Sequence, residues 1–249
     1  MREASLKGKD SLEITGDALV TIEDGAKARV VIRAGKDAAV ELRIGRGCHV
    51  ESFIIQGKDA HITQTSRVGE GSILRTAGLW LSGGEGKIHN ILEGPRSEAY
   101  DLQVFVGRDA HRLHLGSVLR HTGKDTKGDI LVKGVVKDGA SARLDGMIKI
   151  DKGGAGAESF LAEHVMLLDP GAHASANPEL EIENNDVSSR HAASVSRIDE
   201  EKVFYLMSRG IGRDSARKLI VEGFLDSAIG RIADEKLREL FSKEAMAAL

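Results

Sequence analysis

Along most of the chain the apolar residues fall in short runs of β-branched or alternating character: "LVTIED", "ARVVIRA", "AVELRIG", "HVESFIIQG", "AHITQTS", "YDLQVFVG", "DILVKGVV" and "ARLDGMIKI". Glycine with a small or acidic companion punctuates them, as "GDA" at Gly16, "DGA" at Asp24, "GKDA" at Gly35 and Gly57, "GRDAH" at Gly107 and "DGAS" at Asp138. Strands this short, with turn signals every ~8–12 residues, predict an all-β fold. A sandwich or barrel would show fewer, longer strands joined by hairpin turns. A left-handed hexapeptide helix would need a strict six-residue period, and the turn spacing here drifts. A right-handed parallel β-helix tolerates drift, because each coil of ~20–25 residues has its own corners and buries its inward side chains on its neighbours. The expected core is such a β-helix, spanning about residues 12–196 of a first domain, 1–198.

From Asp199 the period changes to helical, and a second domain, 199–249, is expected to hold three helices. Ser196-Arg197-Ile198-Asp199 has capping-box spacing before a first helix that stops at Gly210. A second helix opens near Asp214 and is expected to stop at Gly223, with Ala216, Leu219 and Ile220 on one face. The third carries Leu237, Leu240 and Phe241. The tail reads either as a cap on the end of the solenoid or as a docking module.

Composition narrows the function. With 35 Lys plus Arg against 38 Asp plus Glu, the net charge is -3, which gives no general attraction to nucleic acid or to an anionic membrane. Aromatics make up 4%, leaving few rings to stack on bases or sugars. No apolar run approaches the ~20 residues that span a bilayer, and the first residues lack a signal-peptide core, so a cytoplasmic location is expected. The 29 glycines against 3 prolines fit repeated turns with positive φ. No GxxxxGK[ST] sequence occurs, so any ATP hydrolysis must come from a partner.

One stretch is more specific than any pattern. "GAH" at Gly171, then "NPELEIENNDVSSRHAASVSRIDEEKVFYLMSRGI" from Asn177 and "RDSARKLIVEGFL" after it, resembles the SufB/SufD family, scaffold proteins of the SUF iron–sulfur cluster assembly machinery. The resemblance implies a parallel β-helix with a small C-terminal helical domain. It further implies pairing through the β-helix with a SufB-type subunit or a second copy, and recruitment of SufC, an ABC-type ATPase, through the helices. Family members carry a long region ahead of the core; the strand pattern here begins near Ser11, so that region is expected to be missing. "RHAAS" places His191 where SufD-type members have an interface histidine. SufB-type members show glutamates on both sides of that histidine and a cysteine in the preceding strand. Here those positions are Arg190, Ala192 and Ile182, so the likeness is closer to SufD.

On this footing the candidate cluster or metal ligand is His191, and the candidate subunit interface is Glu181, Glu183, Asn185, Arg190 and His191. The candidate SufC-binding residues are Phe204, Tyr205, Met207, Arg209, Gly210 and Ile211. No permanent cofactor is expected, only a transient iron–sulfur cluster, because such clusters are usually held by thiolates and the chain has one cysteine, Cys48. Cys48 itself reads as a small buried corner residue. The remaining histidines read as solvated turn residues. No catalysis is expected of the chain itself. The alternatives are a purely structural subunit, or a carbohydrate-active β-helix enzyme using the acidic row Glu179, Glu181 and Glu183.

Overall fold

The computed structural model describes residues 1–249, and strand formation begins at once. Sixteen strands follow one another: β1 (Arg2–Leu6), β2 (Lys9–Ile14), β3 (Ala18–Ile22), β4 (Lys27–Ala34), β5 (Ala38–Ile44), β6 (His49–Gln56), β7 (His61–Val68), β8 (Ile73–Trp80), β9 (Gly84–Leu92), β10 (Glu98–Gly107), β11 (Arg112–His121), β12 (Lys127–Val136), β13 (Ser141–Ile150), β14 (Ala157–Leu167), β15 (His173–Ile182) and β16 (Val187–Arg197). The first lies ahead of Ser11, so the coil starts earlier than its apolar pattern suggested; "REASL" is too polar to announce a strand. Odd strands form one eight-stranded sheet and even strands another, and every pairing is parallel. The chain therefore winds as a flattened parallel β-helix with two strands per coil. Register partners lie 16 residues apart at Arg2 and Ala18 but 32 apart at Ser141 and His173, which explains the drifting period.

The corners stack as the strands do. A left-handed residue recurs at one corner, at Gly25, Gly47, Gly71, Arg96, Asp125 and Gly156. The N–H of each donates to a carbonyl of the next coil, as from Gly47 to Glu70 at 2.8 Å and from Gly156 to Asp186 at 2.7 Å. Glycine, which tolerates positive φ without penalty, fills most of these sites.

Side chains alternate between the bore and the outside. Inward residues such as Val30, Leu42, Ile62, Leu74, Leu144 and Leu161 make one continuous core. The outer face of the odd sheet is polar. The outer face of the even sheet is not: Phe53, Leu79, Leu102, Val104, Leu131, Val135 and Met166 project from it. Strands apolar on both faces lose their alternation, which is why "YDLQVFVG" and "DILVKGVV" read as unbroken runs.

The tail covers that second apolar face. It forms α1 (Glu200–Ser208), α2 (Arg213–Ile229) and α3 (Glu235–Ala247). The residue that caps α1 is Asp199, which accepts from the N–H groups of Glu201 and Lys202, and not Ser196. Gly210, at φ +86°, ends the helix as expected. Helix α2 passes through Gly223 to Ile229; its glycine faces open space, and burial of Val221, Leu225, Ala228 and Ile229 on the far side outweighs the weak helix preference. Leu219, expected on the packed face, is 48% exposed. Ion pairs fasten the tail along the rod, from Arg217 at Asp169 to Asp234 at Arg29. The tail is thus neither an end cap nor a detached knob.

Candidate functional site

The β-helix ends without a lid. In β15 and β16 every side chain is exposed or half-buried, whereas the inward rows of β13 and β14 are closed. Register carries the inward row of β14 (Ala157, Ser159, Leu161, Glu163, Val165) onto Val187, Ser189, His191, Ala193 and Val195 of β16. The Ser159–Ser189 hydroxyl contact at 3.1 Å shows that these positions share the bore. Across it stand Ala174, Ala176, Pro178, Leu180 and Ile182 of β15, in register with the core row of β13. Ile182 and Val195, 43% and 40% exposed, are core residues with nothing stacked on them. Each of the two strands also leaves one backbone edge unpaired. An open edge of this length is a template for another strand.

His191 points into this mouth. The other expected interface residues do not converge on it. Glu181 turns outward on the odd sheet and pairs with Lys149. Glu183 lies just past β15, its N–H donating to the Ile150 carbonyl at 2.8 Å. Asn185 is exposed in the connecting turn. Arg190 turns outward with its guanidinium 5.0 Å from the Phe160 ring. Cys48 is fully buried several coils away, its thiol donating to the Glu23 carbonyl at 3.1 Å.

No motif or spacing marks Glu163 in advance. It is 0% exposed, one strand below the mouth, and no side chain pairs with its carboxylate. Burial, with the negative Asp145 nearby, pushes its pKa up to about 7; the backbone of Gly146 and Asn177 offsets part of the rise. Gly146 makes room for it, because a Cβ there would sit 2.7 Å from Oε1. Other polar groups in the bore are partnered more fully: Trp80 Nε1 donates to Gln103 Oε1 at 2.7 Å, and Ser52 donates to Gln64 at 2.6 Å. Ile130, Val132, Leu144 and Ile148 line the inward rows of β12 and β13 around Glu163, and Gly146 is in register with the buried Ser117 of β11. Glu163 stands one strand from the open end.

Several histidines differ from the solvated-turn expectation: His89 and His164 are half-buried inside β9 and β14, and two others depart further. His114 is held on the odd sheet between Glu85 (3.0 Å) and Asp145 (2.7 Å), residues that only stacking brings together. Arg143, Asn177 and His114 hold Asp145 down at about 2 despite partial burial. His121 is fully buried, its Nδ1 2.8 Å from Thr126 Oγ1, and burial lowers its pKa to about 4.

On the tail, Phe204 (72% exposed), Tyr205 (57%) and Met207 lie bare on α1, with Arg209 stacked 5.3 Å from the Tyr205 ring and Gly210 beyond. Ile211 is half-buried against the second core, so it supports this patch from beneath. Leu219 extends the inventory of bare apolar residues on the tail.

The chain is thus a two-sheet parallel β-helix with an uncapped final coil, an inward histidine there and a helical tail strapped along one flank. The family model described as SUF system FeS cluster assembly, SufBD core domain, matches residues 6–224, and the chain belongs to the SufB/SufD family. It is 38% identical over 136 residues to the iron-sulfur cluster assembly protein SufD of Bacillus subtilis (strain 168), covering 55% of this chain and 31% of that protein. It is 32% identical over 182 residues to an iron-sulfur cluster assembly SufBD family protein of Mycobacterium leprae (strain TN), covering 69% and 46%. The chain spans less than half the length of these relatives. No helix is long and apolar enough to cross a membrane.

Proposed function

We propose that the chain is a non-catalytic scaffold subunit of SUF iron–sulfur cluster assembly in the cytoplasm. It pairs through β15 and β16 with a SufB-type subunit or a second copy, and recruits the SufC ATPase through α1. The observation that carries the pairing is the uncovered last coil, where core residues Ile182 and Val195 and two backbone edges face solvent together. A mate seated there would bury both and would enclose His191. Recruitment rests on the bare Phe204, Tyr205 and Met207 patch and on family membership. Thiolates for a transient cluster must come from another protein, such as a SufB-type mate, since Cys48 is sealed in the core and a second copy adds only another sealed Cys48.

Deleting 199–249 is a poor test, because it uncovers Phe53, Leu102 and Val104 and would cause aggregation. Point changes are cleaner. Phe204→Asp with Met207→Asp should abolish co-purification with SufC and leave the β-helix folded. Ile182→Glu with Val195→Glu should abolish pairing and spare SufC binding. Retention of both partners by both double variants would sink the proposal.

A further inference from the structure

The tail does not fill all the space over the even sheet. Where α2 gives way to α3, the turn Arg231–Ala233 stands over β6, β8, β10 and β12 and leaves a slot of about 240 Å³. Phe53, Ala77, Leu102, Leu131 and Ile232 line it with hydrocarbon. Thr76 and Asp101 border it through their backbone, since their side chains turn into the bore and bond to Gln64 and Gln103 there. The Tyr100 hydroxyl at the rim already donates to Glu98 at 2.8 Å. The floor therefore offers nothing to recognise a polar ring and suits a plain hydrocarbon. An apolar cavity of about 150 Å³ admits benzene, so this one has room for a chain of about eight carbons.

Past Glu51 and Arg75 the slot opens into a groove of about 800 Å³ with basic walls. Register sets Lys9, Lys27 and His49 side by side on β2, β4 and β6, with about 4.8 Å between neighbouring backbones. Two residues further along, Arg29 and Arg75 flank Glu51. Four full cations thus face two carboxylates, Asp10 and Glu51. Arg29 is occupied, by Glu51 at 2.7 Å and Asp234 at 2.8 Å. Lys9, Lys27 and Arg75 form no ion pair, and Arg75 lies 4.7 Å from the Tyr100 ring where slot and groove meet. On the far lip Asp129 sits in the field of Arg231 and Arg190. Elsewhere Arg43, Arg46, Arg67 and Arg120 each hold a carboxylate, so free cations gathered at one opening are an exception. Charge-assisted bonds from such a cluster fit a phosphate.

We infer that slot and groove together bind a soluble phosphate monoester of a short hydrocarbon, its chain beneath the tail's turn and its phosphate on Arg75, Lys27 and His49. The chain touches sheet and turn at once, so binding clamps the tail. The site is independent of the pairing and recruitment proposed above.

The test is calorimetry on the full chain with octyl phosphate, set against inorganic phosphate and octyl glucoside. Octyl phosphate should bind at least tenfold more tightly than either, and affinity should rise from butyl to octyl phosphate and stop rising at dodecyl. Lys27→Ala with Arg75→Ala should cost at least tenfold. Ala77→Leu, which fills the slot, should do the same without weakening inorganic phosphate, and Arg120→Ala on the other sheet should change nothing. Bound octyl phosphate should slow amide exchange across residues 230–234. Equal affinity for octyl glucoside, equal affinity for inorganic phosphate, full affinity in the Lys27/Arg75 double variant, or no binding at all would each overturn the inference. Phosphatidylcholine vesicles with one phosphatidic acid in five should not sediment the chain. Sedimentation that the double variant abolishes would make the ligand a membrane lipid and overturn the soluble one.

Discussion

Replacing Glu163 by Gln removes a buried carboxyl one strand below the mouth. The wild-type carboxyl has a folded pKa of about 7 against an ordinary 4.5. A carboxyl raised on folding binds its proton more tightly in the native state, so its stabilisation is present at low pH and lost as pH rises through the folded value. Each pH unit of separation is worth about 1.4 kcal/mol; complete ionisation therefore costs about 3 kcal/mol, and about 2.5 kcal/mol of that falls between pH 5 and 8. Asp101, raised by burial to about 6, and His121, lowered to about 4, also titrate, but they are common to both proteins and cancel in the difference. The measurement is urea unfolding of wild type and Glu163→Gln at pH 5, 6, 7 and 8, with EDTA present and at a concentration that keeps the chain monomeric. The single tryptophan, Trp80, is buried in the bore and reports unfolding by fluorescence. The stability difference should move by about 2.5 kcal/mol in favour of the glutamine variant as pH rises from 5 to 8. Parallel curves across that range would refute the assignment of a strained, unpartnered carboxyl.

Gly78→Ala places a Cβ 1.9 Å from Gln103 Oε1 and 2.7 Å from Trp80 Nε1, so the buried Trp80–Gln103 bond must break. Denaturant titration should show a loss of about 2–4 kcal/mol, shrinking when Gln103→Ala is added, as a double-mutant cycle reports. Acidification from pH 6.5 to 4 should lower the stability of the wild type relative to His121→Leu, because the lowered pKa of His121 makes neutrality the native requirement while Glu163 and Asp101 are common to both and cancel. Parallel profiles for the two proteins would show that His121 carries no such demand. Asp199→Ala removes the cap on α1 and should cost about 1 kcal/mol, read as faster amide exchange over residues 200–208 with the β-helix unchanged.

The coil was legible because its corners obey a local rule: positive φ favours glycine or aspartate, and those residues mark nearly all the turns, Arg96 being the exception. The helices were legible from spacing, and His191 from its motif. What lay across coils was not. Glu85, His114 and Asp145 are about thirty positions apart from one to the next and meet only through stacking. Glu163 hides in "SFLAEHVML", where both faces of the strand are apolar and alternation no longer says which residue points inward. The tail's position was hidden for the same reason: unbroken apolar runs announce a doubly covered sheet without naming the cover. The exposure of Leu219 and the passage of α2 through Gly223 follow from docking on that sheet, which helical period alone does not register.

The tail is strapped down over much of the flank, with Arg217 tied to the Leu168 carbonyl, Lys133 to Ser227, Lys137 to the Leu249 carbonyl and Arg29 to Asp234. The ties reach rungs far apart along the rod, so freeing the tail means breaking contacts with several coils at once, and tail and rod melt as one cooperative unit.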